Sequence, residues 1–140
     1  MPVLPSRRAV RAALISAPGV VAAHVPAERI RAGIARPGDV PVIILQPAHV
    51  DVLGRAAGAQ VVTEVRLMLH VWTGADQVDI AQQIVSAAMV ALMDAPAVRE
   101  CAIQGWERPV MTWARDPDPA LSFAHGVISL RAVVYWRADQ

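Results

Sequence analysis

The side chains best suited to chemistry in this 140-residue chain are four histidines and a scatter of carboxylates. His24, His49, His70 and His125 are never closely spaced, so no local pair can clamp a metal from one helical turn or one hairpin. His70 and His125 fall in segments that read as strands and could approach each other. With Glu64 or Asp116 they would imitate a metal site or an acid–base pair. A lone strand histidine is more commonly a surface residue or a core residue with its hydrogen bonds met, and that is the expectation here. Asp116 and Asp118 each precede a proline, and the remaining ligand positions of a calcium loop are missing, so Asp116-Pro117-Asp118-Pro119 reads as a turn.

The search for other chemistry comes back empty. There is no P-loop, no GxGxxG, no HExxH, no GxSxG and no CxxC. The single cysteine, Cys101, rules out an internal disulfide and a cysteine-based zinc cluster; its default is an inert buried thiol. Arg7, Arg8 and Arg11 would suit a nucleic-acid backbone, yet a solvated helix end is the preferred reading, because 13 basic and 12 acidic residues leave a net charge of only +1. All the basic residues are arginine, which fits the codon bias of a GC-rich genome better than dedicated phosphate recognition. No catalytic residue, cofactor or metal is expected. What stands out is an apolar fraction of 55%, high for a small domain, which suggests burial against other protein copies.

The elements that must carry these residues are legible in part. Ser6 is a plausible N-cap for a helix from Arg7 to Ala17, ended by Pro18-Gly19. Residues 20–41 read as an irregular connection, with a short strand or turn at Glu28 to Ile34, and Val42 to Gln46 as a strand between prolines. His49 to Ala59, with Gly54 and Gly58, reads as a loop. From Gln60 to Trp72 apolar and mixed positions alternate with period two, giving a strand of roughly 40 Å, well beyond the usual length. A strand so long could offer surface to a neighbour.

A helix follows from Asp76 to Asp94, its acidic start suited to the positive end of the helix dipole. It carries two apolar stripes, Ile80, Ile84, Ala87, Ala88 and Ala91 on one side and Val78, Val85, Met89 and Met93 on the other. Such a helix must be covered twice, by its own sheet and by either the first helix or another subunit. Glu100 to Trp113 reads as an edge or bulged strand broken at Gly105 and Pro109, and Phe123 to Arg137 as its hairpin partner. Trp72 and Trp113 lie near strand ends, where an aromatic can anchor an interface. The candidate assembly residues are therefore Val78, Val85, Met89, Met93, Trp72 and Trp113. The expected fold is one α+β domain over residues 1–140, with a mixed or antiparallel sheet of about four strands and two helices on one face. No membrane span and no signal peptide are read, so a cytoplasmic site of synthesis is expected.

Two segments together resemble a known family. VRLMLHVWTGADQVDIAQQIVSAAMVALMDA, residues 65–95, is a strand ending in His-x-Trp, a short turn and a helix. WARDPDPALSFAHGVISLRAVVYW, residues 113–136, is an Arg-Asp turn followed by a His-Gly that opens the last strand. They resemble the tail-completion, or tail-terminator, proteins of long-tailed bacteriophages and gene transfer agents. The resemblance implies a non-enzymatic virion subunit in a hexameric ring that ends the tail tube and joins it to the head. It also implies tail-tube and neck proteins as partners, with DNA passing through the ring without sequence-specific binding. A neck connector of the same particle is the near variant. A small ligand-binding or enzymatic domain built on His70 and His125 is the distant one.

Overall fold

The structure is a computed structural model in which residues 3–17, 19, 25–34, 36–115 and 123–138 are described, side chains of the first helix from Arg7 onward. Helix α1 spans Val3–Ser16. After a short 3-10 turn at Ala27–Arg29 come β1 (Ile30–Ala32), β2 (Val42–Leu45), β3 (His49–Ala56) and β4 (Gln60–Thr73). Helix α2 (Val78–Ala91) and the strands β5 (Ala102–Ala114) and β6 (Ala124–Arg137) complete the order. All six strands form one sheet in the order β1-β2-β4-β6-β5, with β3 also paired to β4, and every pairing except β1–β2 is antiparallel.

The α+β class with one sheet is as expected; the strand count is larger, because β1 and β3 add to the four. The segment expected to be a loop at His49 to Ala59 is mostly strand β3. Its glycines do not break it: Gly54 sits at a register shift in the ladder with β4, and Gly58 and Ala59, at φ 75° and 58°, make the hairpin turn. Helix α1 begins at Val3 rather than Arg7, so Ser6 lies inside it and is no cap; Pro5 is tolerated because first-turn amides have no helical acceptor. β5 is the bulged edge strand expected, with register shifts between Ile103 and Gly105 and between Glu107 and Val110. The Asp116-Pro117-Asp118-Pro119 turn and His24 lie outside the described residues.

β4 is the spine. It pairs with β6 without a break from Gln60↔Arg137 to Thr73↔Ala124. Its other edge is shared by two strands in succession, β3 along residues 60–66 and β2 along 69–72. Between these, Gln46-Pro47-Ala48 interrupts what would be one strand, and only Gln46 keeps the ladder, donating its amide to Met68 O at 2.9 Å. Proline at that position has no N–H to give.

Period two then sorts the faces. Leu67, Leu69 and Val71 of β4, with Ile43, Leu45, Ile128 and Leu130, pack under Val10 and Leu14 of α1 and Ile84, Val85, Ala88 and Leu92 of α2 or its end. Arg11 of α1 is a tie within the fold: its Nε donates to Ile30 O at 2.6 Å and its Nη2 to Ala27 O at 2.9 Å. That occupies one of the three arginines weighed above as a nucleic-acid contact.

Candidate assembly surface

Among the described residues no helix packs on the opposite face of the sheet, and the side chains of that face follow from the register. Arg66 of β4 stands directly opposite Arg131 of β6, a like-charge pair that alone would be unfavourable. Glu64, two residues along the same face, resolves it. Its Oε1 accepts from Arg66 Nε at 2.6 Å and its Oε2 from Arg131 Nη2 at 2.6 Å. Glu107 of β5 takes a second bond from Arg131, and Asp51 of β3 pairs with Arg66 Nη2 at 3.5 Å. A charged row thus crosses four strands. The bonds from Arg131 first, and then from Arg66, hold the Glu64 carboxyl down at about 2 against an ordinary 4.5.

Towards the other end of the same face, His70 and His125 do meet. His70 Nδ1 lies 2.7 Å from His125 Nε2, and His70 Nε2 lies 2.6 Å from Gln46 Oε1. An amide oxygen only accepts, so the network assigns the His70 proton to Nε2, and His125 Nε2–H donates to His70 Nδ1. The His125 ring stacks on Trp72, centroids 3.7 Å apart and planes 9° from parallel, and Phe123 meets Trp72 edge-on. His70 is half-buried and His125 buried, joined to each other and to Gln46; no cluster of three or more His, Cys, Asp or Glu suited to a metal occurs among the described residues.

Burial favours the neutral imidazole and pushes the His70 pKa below its ordinary 6.5. The unfolded chain therefore takes up a proton here while the folded chain does not, so stability falls as pH drops below about 6.5. Glu64 acts lower: its contribution is intact above 4.5 and is lost as pH falls towards 2. Urea midpoints at several pH values should decline in those two steps, the first absent in His70→Gln. A midpoint level from neutral pH down to about 5 would contradict the His70 assignment.

The six candidate assembly residues do not form one patch. The buried centre of α2 takes Ile84 and Ala88 from one stripe, Val85 from the other and Ala81 from between them, so the remaining residues of each stripe are flanks. The flank with Ala87 and Ala91 faces Ala13 and Ser16 of α1 and Ala17 just after it. On the other flank Val85 is buried and Met89 half-buried against the core, while Val78 and Met93 are exposed, each 44%. Trp113 lies on that same helix side, near Val85 across Gly126, and is 47% exposed. Trp72 is buried at 5% on the far side of the sheet. The exposed apolar residues outside the candidate set include Ile34, Val52 and Leu53, Val90 on α2, and Met68 and Val110 on the uncovered face. Val90 sits among polar wheel positions, and Met68 alternates with charged residues, so neither stood out.

A sheet covered by helices on one side and crossed by an ionic row on the other defines an α+β scaffold of one sheet and two helices. The tail completion protein gp17 family matches the chain over residues 8–135, so the chain belongs to that family and is a tail structural protein of a phage-like particle. Its fold is similar to that of a chain in the virion of a native gene transfer agent particle, with a TM-score of 0.71 and 18% identity over 95% of this chain and 97% of that one. No curated protein matches the chain in sequence.

Proposed function

We propose that the chain acts, as one domain, in a hexameric ring that terminates the tail tube and joins it to the head or neck. The observation that carries this reading is membership of the tail completion family over nearly the whole chain. Apolar residues exposed on both sides of the molecule, Val78, Val90 and Met93 on α2 and Met68 and Val110 on the uncovered sheet face, support repeated contacts between copies. Its partners are then further copies, the tail-tube protein and a connector, with DNA passing through the ring without sequence-specific contacts. The role is structural and needs no catalysis or cofactor.

Deleting the gene tests this. The expected result is tails of irregular length that fail to join heads, with light scattering of the purified protein, alone or with tail-tube protein, reporting ring-sized species. Normal tail length with unjoined heads would instead favour a neck connector. Normal particles together with a strictly monomeric protein would overturn the proposal.

A further inference from the structure

A strand with a neighbour on one side only leaves its outer amides and carbonyls without a ladder to enter, a template for pairing with another chain. Apart from the three-residue β1, two strands are in that position: β3 pairs only with β4, and β5 only with β6. Among the described residues no backbone bond outside these ladders reaches residues 49–56 or 102–107. β3 also carries neither proline nor lysine to blunt its edge. The two open edges lie on opposite sides of the sheet. β3 is antiparallel to β4, β4 to β6 and β6 to β5, so β3 and β5 run in opposite directions. Two copies set side by side with the same face outward therefore bring β5 of one against β3 of the other as a further antiparallel pair.

The rows of the sheet say what meets at such a joint. Val52, Thr63, Val134 and Ile103 stand in one row, so Val52, 69% exposed, comes level with the next copy's Ile103. Arg55 shares a row with Val61 and Trp136, one step past the row that ends in Ala102, and so reaches the next copy's Glu100 just before β5. Arg55 and Glu100 are both exposed, and neither has an ion pair or a side-chain hydrogen bond among the described residues. An unpaired cation at the end of one edge thus meets an unpaired carboxylate at the start of the other. β1 stands beyond the end of β3, on the outer side of β2, which limits the joint to β3 and residues 102–107. The register shift between Glu107 and Val110 falls at that limit, where a bulge lets β5 bend away.

We propose that adjacent copies join by pairing β3 of one with residues 102–107 of the next, the strand pair being flanked by an ion pair between Arg55 and Glu100. The inference rests on the ring reading above and gives it a contact. The two edges differ and lie on opposite sides of one chain, so the contact is heterologous, the kind that passes from copy to copy and closes as a ring; a self-complementary edge would stop at a dimer.

Cross-linking and charge reversal of the purified full chain, with and without tail-tube protein, test it. In a Cys101→Ala background, Val52→Cys with Ile103→Cys should give a covalent ladder beyond the dimer with a short bis-maleimide, and either cysteine alone should not. Arg55→Glu and Glu100→Arg should each lower the ring population about tenfold at fixed concentration, and the two together should restore it. Both side chains are exposed, so circular dichroism should show these variants folded. Rings that form without any ladder overturn the contact and leave the ring reading standing, as do rings that persist in both reversed variants or a loss that the combined variant fails to rescue. A ladder that stops at the dimer, or one given by Val52→Cys alone, makes the edge self-complementary and also overturns the contact. A wild-type protein that never forms rings, alone or on the tube, removes the ring reading and this contact with it.

Discussion

Leu69→Ala is expected to lose about 3–5 kcal/mol of folding stability, a large part of what a domain of this size holds in total. Leu69 is fully buried at the middle of the spine strand, in register with Leu45 on one side and Ile128 on the other. It belongs to the cluster formed with Leu14 of α1 and Ile84 of α2, so truncation opens a void that three elements would have to close together. Paired strands are poorly placed to close it, because moving one residue inward breaks a ladder. Leu53→Ala, on the exposed edge strand β3, should stay within about 0.5 kcal/mol of wild type. Urea unfolding of both variants supplies the comparison. A loss below about 1 kcal/mol at Leu69 would mean that the core is not organised around β4.

Trp72→Ala should be the second large effect, about 3–5 kcal/mol by the same reasoning for a buried aromatic side chain. The change removes the partner on which His125 stacks, the edge contact to Phe123 and one of the two faces under Arg36. Trp72→Phe keeps a ring against His125 and should recover most of the loss. Trp113→Ala, at an exposed position on the helix side, should leave stability within about 1 kcal/mol and act on assembly instead. Thermal and urea unfolding separate these variants. A Trp72→Ala protein as stable as wild type would show that the aromatic stack is not part of the fold.

The contrast between Trp72 and Trp113 shows where the sequence was informative. Both stand near strand ends, and both were candidate interface anchors on that ground. Position along a strand did not reveal that Trp72 would be closed over from its own face by Phe123 and His125, residues some fifty positions away. Period two placed β4 and β6, and with them the approach of His70 to His125, because alternation survives any tertiary context that keeps one face buried. Loop composition misled at β3, where Gly54 and Gly58 read as breakers although one sits at a register shift and the other in a turn. The charged row was invisible for a further reason. Glu64, Arg66, Glu107 and Arg131 look like solvated strand residues until the register sets Arg66 opposite Arg131 and makes the carboxylate between them necessary. Helix α2 was found by its pattern, but the inner edges of both apolar stripes are buried in the core, and no wheel says which outer flank another copy would use.

The unbroken register between β4 and β6 also has a mechanical meaning. Force directed along these strands is shared by every rung from Gln60↔Arg137 to Thr73↔Ala124 at once, whereas force across them parts the rungs one after another. The opposite edge of β4 is built differently, handed from β3 to β2 at Pro47, so shear there is borne by two short ladders in series. The subunit is thus stiff along one direction and on one side of its spine. Tension reaching it would open the β2 and β3 side first and leave the β4–β6 pair to carry the load.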